Sequence, residues 1–196
     1  MKILNLYAGL GGNRKLWEGA VTSVENNPVL VEFLSKHFKE DIIICADAHE
    51  ILLKHHRHCD FIWSSPPCQT HSSFRQNICV RFRGTEPVYP DMRLWQEILF
   101  LQHNAKCKWV VENVKPYYKT LIEPTVVLGR HYFWSNFDIP KKDFKKASIR
   151  TDQIKDLELK HGYNLSGLKI PNKRQILRNC VDPEIGKYIL DIARGK

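Results

Sequence analysis

The chain has 196 residues, 43% of them hydrophobic and 11% aromatic, a composition that excludes a disordered chain and suits one hydrophobic core. A formal net charge of +9 and a pI near 9.3 point to a polyanionic partner such as nucleic acid, with a plainly solvated basic surface as the alternative. No apolar run approaches the roughly 20 residues of a membrane span, and Met1 enters a strand-like run without a signal-peptide layout, so a cytoplasmic protein with no membrane partner is expected.

Short β-branched runs alternate with longer helical patterns, which reads as an α/β protein with a mainly parallel, twisted sheet and helices on both faces. Strands are expected at 2–7, 21–25, 42–45, 60–64 and 108–112, and helices at about 13–19, 28–38 and 91–103. Pro28 suits a first helical turn, and Asp91 can cap the third helix. Residues 121–137 read as two strands around a Gly129 turn, giving an antiparallel hairpin near 124–137. A polar, lysine-rich stretch runs from 138 to about 172, with a short amphipathic piece near 152–160, before a final helix near 183–194. The charge excess is concentrated there: residues 115–178 hold 14 Lys and Arg against six Asp and Glu, while residues 1–114 hold 13 against 12.

The six cysteines, at 45, 59, 68, 79, 107 and 180, show no metal-ligand spacing, so free thiols and no metal are expected. In 54-KHHRHCD-60 the histidines and the cysteine are too close along the chain to converge as a tetrahedral set, and a solvated turn before a strand is expected.

The first strand runs into 7-YAGLGG-12, where Gly9, Gly11 and Gly12 let the backbone approach a ligand at the carboxyl edge of the sheet. Nicotinamide, flavin and S-adenosylmethionine proteins all use such turns, and a tight turn without ligand is the bland reading. The G-L-G-G spacing departs from the dinucleotide fingerprint. Glu25, at the end of the second strand, stands where ribose hydroxyls are bound in nucleotide folds, and Asp47 follows the third strand. Either carboxylate could instead be a helix cap or simply solvated.

The fourth strand ends on 64-SSPPCQ-69, a corner whose two prolines fix the direction of the chain and put Cys68 at the same edge. The fifth strand delivers Glu112, Asn113 and Val114 there as well. A carboxylate raises a neighbouring thiol's pKa, so the pair is not a thiolate-activating couple of the hydrolase kind. It suits a reaction in which the cysteine attacks a substrate while the glutamate protonates or hydrogen-bonds another of its atoms.

Tyr7-Ala8-Gly9-Leu10-Gly11-Gly12, Pro66-Pro67-Cys68-Gln69 and Glu112-Asn113-Val114 resemble, in order and spacing, the motifs of cytosine-5 DNA methyltransferases. The stretch 91-DMRLWQEIL-99 is similar to the family's helix before the glutamate strand, and 174-RQILRNCVDP-183 to the C-terminal segment that completes its cofactor site. The resemblance implies a Rossmann-like fold and one catalytic domain over residues 1–196, with residues 174–196 returning to the cofactor site. It implies that Tyr7, Ala8, Gly9, Leu10, Gly11, Gly12, Glu25, Asn26, Asp47, Ala48, Pro66, Asn179 and Val181 hold S-adenosylmethionine. It implies too that Cys68 attacks C6 of a cytosine extruded from duplex DNA, with Glu112 at N3 and the amino group. Gln69–Pro90 would form a loop closing over that base, with Gln69, Ser72, Ser73, Arg75, Arg81 and Arg83 on the nucleic acid. Plain solvated charge is the alternative for the arginines.

The chain departs from the family in three places. Only Arg130 remains of an expected arginine pair, with Tyr132 in the second place, and either a catalytic or a strand-edge role suits it. Arg178 stands where the C-terminal motif usually has glycine. Residues 138–173 take the place of a whole target-recognition domain, and Lys141, Lys142, Lys145 and Lys146 within them can bind phosphate without reading sequence. Low or very short sequence specificity, or specificity supplied by a protein partner, is therefore expected. The same chemistry on RNA, or a binding protein without catalysis, are the competing readings.

Overall fold

The computed structural model describes residues 1–144 and 153–196. Seven strands form one sheet: β1 (Ile3–Leu6), β2 (Thr22–Glu25), β3 (Ile42–Cys45), β4 (Phe61–Ser64), β5 (Lys108–Val114), β6 (Val126–Leu128) and β7 (His131–Ser135). Their order is β3-β2-β1-β4-β5-β7-β6. The first five strands are parallel, and β7 runs antiparallel to both β5 and β6. This is the Rossmann-like arrangement the sequence pattern predicts, with the expected hairpin turning at Gly129 in a left-handed conformation, φ 58°.

Side chains alternate between the two faces of the sheet, and each face is covered by different helices. Leu4, Leu6, Ile62, Trp109 and Val111 pack under α2 (Ala48–His55) and α3 (Arg93–Asn104) through Leu52, Leu94, Trp95, Ile98 and Leu101. Ile3, Phe61, Trp63, Val110 and Phe133 face the other way, against α6 (Pro183–Ala193). From α6 come Ile185, Ile189 and Leu190, each burying enough apolar surface for roughly 1.5–3 kcal/mol. A third cluster joins α1 (Pro28–His37) to the segment that follows the lysine-rich stretch. Leu30 and Phe33 meet Leu10 together with Leu157, Tyr163, Leu165, Ile170 and Leu177, the last group carried by α4 (Ile154–His161), α5 (Lys173–Asn179) and the turn between them.

The expected helix at 13–19 is absent, and its place is taken by turns. Arg14 pairs with Asp41 at 2.7 Å and donates to the Gly19 carbonyl at 2.8 Å, while Trp17 inserts between Phe61 and Trp63. The terminal helix α6 occupies the adjoining space, where a Cβ on Gly186 would lie 2.2 Å from the Asn13 carbonyl oxygen. Helices α2 and α5 were not legible as helices, and β5 runs two residues further than its sequence pattern. Asp47 caps α2 by accepting from the His49 amide at 2.8 Å. The histidine-rich stretch ends α2 and makes a 3-10 turn at His56–His58; His55, Arg57 and His58 are exposed as expected, while His56 is buried edge-on against Phe100, at 4.8 Å between ring centres. The amphipathic piece expected near 152–160 is α4 from Ile154 onward.

Candidate active site

The loops after the five parallel strands meet at one edge of the sheet. There Tyr7, Ala8, Gly9, Leu10, Gly12, Glu25, Asn26, Asp47, Ala48, Pro66, Asn179 and Val181 line a cavity of about 270 Å³, with Cys68 and Glu112 at one end. Gly11 is the exception among the expected cofactor residues. A Cβ there would lie 2.5 Å from the Phe38 ring, so this glycine serves packing against α1. A Cβ on Gly12 would lie 2.2 Å from Cys180 Sγ and 2.4 Å from the Val181 carbonyl oxygen, which makes this glycine the seat of the returning C-terminal segment. At Gly9, φ is +57° and nothing stands within 4 Å of a Cβ.

Glu25 is held at the end of β2 by two backbone donors, Gly9 N and Asn27 N, both at 2.9 Å. Its fixed carboxylate keeps lone pairs free for hydroxyl donors. Asp47 spends one oxygen on capping α2, and its other lies 3.4 Å from Arg93 Nη1. This cradle, with an open glycine backbone and anchored carboxylates, fits a nucleoside carrying an amino-acid chain.

Cys68 is aimed by backbone chemistry. Asn113 donates from its side chain to the Pro66 carbonyl at 2.9 Å, tying β5 to the proline corner. Burial first and the Glu112 charge second push the Cys68 thiol up to about 12, while Arg130 draws it down. Glu112 is buried, and desolvation lifts its carboxyl to about 7 against a hydrogen bond from Ser65 and the charge of Arg130. The Ser65 hydroxyl is itself oriented by accepting from Trp63 Nε1 at 2.8 Å. Arg130 donates to the Arg178 carbonyl, so the residue in the family's usual glycine position contributes its backbone to this corner.

Beyond Cys68 lies a second, wider cleft of about 960 Å³. It shares Cys68, Gln69, Val114 and Asn179 with the first cavity and is lined by Ser72, Ser73, Phe74, Arg75, Arg130, Arg174 and Arg178. Arg81 and Arg83 are exposed just past a π-helical turn at Arg75–Val80 and line neither space. Lys141 and Lys142 are elsewhere. Strand β7 carries the chain from His131, opposite Val114, to Ser135, opposite Val110, and so away from the cysteine edge. Lys142 there lies over the Tyr188 ring at 4.8 Å. Lys145 and Lys146 lie outside the described residues. Among the described residues no group of His, Cys, Asp and Glu could hold a metal ion, and the six cysteines are free.

Three polar residues of this region were missed in the sequence. Glu97 is fully buried and accepts from Tyr7 Oη at 2.5 Å, Ser64 Oγ at 2.6 Å and His49 Nδ1 at 3.0 Å, pinning a Tyr7 backbone that sits at φ +57°. His131 is buried on the cavity wall with Nε2 3.6 Å from Glu112 Oε1, and desolvation keeps it neutral. Ser65 is the third. A carboxylate on the apolar face of an amphipathic helix, 94-LWQEI-98, was the available signal for Glu97.

The model of the C-5 cytosine-specific DNA methylase family matches residues 1–121, more than half of the chain. The chain belongs to that family. No curated protein sequence matches it. Among solved structures it is similar to yhhF of Escherichia coli, described as a methyltransferase, at 15% identity over 68% of this chain and 73% of that one, with a TM-score of 0.43. It is similar also to the Entamoeba histolytica methyltransferase EhMeth, at 15% identity, 83% and 65% coverage and a TM-score of 0.44. The plantazolicin methyltransferase BpumL, solved with SAH, aligns over 100% of this chain and 56% of its own at 10% identity, with a TM-score of 0.37. No helix among the described residues is long and apolar enough to cross a membrane.

Proposed function

We propose that this methyltransferase transfers a methyl group to C5 of cytosine in DNA through a covalent bond between Cys68 and C6. The observation that carries the reading is the meeting of two spaces at Cys68 and Gln69: a walled cavity suited to the cofactor, and an arginine-lined cleft suited to a polynucleotide. When bound, S-adenosylmethionine supplies an electrophilic methyl group. Glu25 would bind its ribose, Asp47 and Ala48 its base, and the Tyr7–Gly12 loop with Asn179 and Val181 its remaining length.

The chain's own residues carry the proton and electron bookkeeping. At neutral pH the resting pair is a Cys68 thiol and a Glu112 group near its midpoint. Moving the thiol proton to Glu112 gives a thiolate and a carboxylic acid with no net uptake. The thiolate pair forms the S–C6 bond as Glu112 gives its proton to N3, and the C5=C6 pair becomes electron density at C5. Once C5 carries the methyl, loss of its hydrogen as a proton to solvent restores C5=C6. That step expels the Cys68 thiolate, and N3 returns its proton to Glu112. Arg130, held by the Arg178 carbonyl, favours the thiolate by its charge. Within the short 138–173 segment, Leu157, Tyr163 and Leu165 pack with Leu10 of the glycine loop, and Tyr163 Oη donates to the Gly11 carbonyl at 3.3 Å, while Ile139 and Phe144 pack on the α6 side. This supports low sequence specificity.

The test is covalent trapping. Wild type and Cys68→Ser are incubated with S-adenosylmethionine and DNA carrying 5-fluorocytosine, whose fluorine cannot leave as a proton. A denaturant-stable adduct is expected for the wild type alone. An adduct with Cys68→Ser, or none with wild type that binds the cofactor, would overturn the reading.

A further inference from the structure

Three of the four exposed aromatic side chains among the described residues belong to the segment whose first part walls the cleft: Phe74 at 46% exposure, Phe82 at 85% and Tyr89 at 95%, with Tyr117 at 38% the fourth. That segment follows Cys68. Tyr117 is joined to its start by its amide, which donates to the His71 carbonyl at 3.0 Å. Three arginines interleave with them, at 75, 81 and 83, against one acid, Glu86, between Gln69 and Pro90. The segment is folded onto itself: Arg75 Nη2 donates to the Glu86 carbonyl at 3.2 Å, Thr85 N to the Cys79 carbonyl at 2.9 Å, and Asp91 N to Thr70 Oγ1 at 2.9 Å. These rings are therefore presented outward by an ordered framework, and Phe74 forms part of the cleft wall itself.

Exposed aromatic rings cost hydrophobic free energy unless something covers them. A duplex offers them a ring face only where a base step is unstacked, because its bases are otherwise stacked on one another. An unpaired strand offers a π-face at every nucleotide together with a phosphate for each arginine, which is the composition of stacking sites for single strands. Apolar residues of the segment that takes the place of a groove-reading domain are committed elsewhere, as Leu157, Tyr163 and Leu165 pack on Leu10, Leu30 and Phe33 and Ile139 packs on the α6 side.

We infer that the substrate is single-stranded DNA, which enters the cleft from the exposed continuation of its wall, with unpaired bases stacked on Phe82 and Tyr89 and phosphates on Arg81 and Arg83. This departs from the sequence expectation of a duplex, and it rests on the cytosine methyl-transfer reading. With the strand already unpaired, the target base reaches Cys68 without the energy of extrusion from a helix.

The experiment is fluorescence anisotropy of the full chain at fixed salt. The probes are a short fluorescein-labelled oligodeoxynucleotide, the same strand annealed as a duplex, and RNA of the same sequence. Single-stranded DNA is expected to bind most tightly. Phe82→Ala and Tyr89→Ala should each weaken it by roughly fivefold or more while leaving duplex affinity and the thermal midpoint unchanged. Tighter binding of the duplex or of RNA would overturn the inference, as would wild-type single-strand affinity in both variants. Trapping with 5-fluorocytosine separates the two claims. Adducts on duplex but not on single strands overturn the substrate and keep the chemistry. No adduct anywhere, with the single-strand preference intact, overturns the chemistry and supports the binding surface.

Discussion

The walls on either side of Cys68 are made in opposite ways. In the smaller cavity Gly12 is pressed on Cys180 and Val181, Glu25 is anchored by two amides, and Tyr7 is pinned by buried Glu97. On the other side the segment after Gln69, whose first part walls the wider cleft, presents arginines and aromatic rings to solvent over most of its length. A small cosubstrate of fixed shape rewards a pre-formed wall, because ordering is then completed during folding. A polynucleotide of variable sequence rewards charge and exposed ring faces instead. Cys68 and Glu112 sit where the two designs meet, so substitutions can be chosen to damage one without the other.

Glu112→Gln strikes the meeting point and should have the largest effect. It removes the proton donor and is expected to slow adduct formation by about 10²–10⁴-fold, with cofactor affinity nearly unchanged. The pH dependence carries the sign. Attack needs a thiolate beside a carboxylic acid, which has the same proton count as the thiol–carboxylate pair that dominates between about 7 and about 12. Below about 7 one proton must be lost first, so the wild-type rate should climb with pH up to about 7 and then level. In Glu112→Gln that rise should disappear from neutral pH and follow Cys68 into the alkaline range. Single-turnover trapping across pH reads both, and a wild-type rate that falls between pH 6 and 8 would count against the assignment.

Gly12→Ala strikes the rigid wall. Its Cβ would overlap Cys180 Sγ and the Val181 carbonyl, and backbone cannot swing away as a side-chain tip can. A loss of roughly 1–3 kcal/mol is expected from overpacking, with weaker S-adenosylhomocysteine binding by calorimetry and unchanged anisotropy on DNA. Gly9→Ala meets no protein atom, so its stability cost should be the strain of its positive φ, about 1–2 kcal/mol, while its methyl would stand in the cofactor cavity.

What the sequence made legible follows the same division. The strands, the hairpin and the edge at which Cys68 and Glu112 meet could be read, because alternation and proline-fixed corners are local signals. The missing helix after the glycine loop could not be. Its absence depends on Trp17 reaching Phe61 and Trp63 and on α6 arriving from the far end of the chain. Helix α5 is held by Leu177 in a cluster with Leu30 and Phe33, a long-range contact with no periodic trace in a seven-residue segment. Ser65 and His131 were invisible for another reason: their importance comes from facing Glu112, which only the register of β5 and β7 reveals.

Ser65→Ala should be milder and pH-specific. The Ser65 hydrogen bond favours the charged form of Glu112, so its loss raises the Glu112 pKa above about 7 and moves the rising limb to higher pH. Because attack draws on the thiolate–acid form, a higher Glu112 pKa leaves the rate below pH 7 unchanged and lets it climb further, so roughly two- to tenfold faster trapping is expected at pH 9. Ser65→Thr, which keeps the hydroxyl, should restore the wild-type plateau. Equal slowing at both pH values would assign Ser65 to packing against Trp63 instead.

The smallest effect is expected where the sequence reading placed phosphate contacts. Lys141 and Lys142 lie past the Ser135 end of β7, on the far edge of the sheet from Cys68, and Lys142 is engaged with the Phe144 and Tyr188 rings. Replacing both by alanine removes two charges yet no charge near the cleft. DNA affinity and its salt dependence should be unchanged, with only about 0.5–1 kcal/mol of stability lost from the cation–π contact. The comparison is Arg81→Ala with Arg83→Ala, which also removes two charges and should lower the slope of log affinity against log salt by about 1.5. The two double variants have the same net charge. A difference in slope therefore reports where the polynucleotide lies, whereas equal slopes would mean that it responds to total charge and that the cleft has no privileged path.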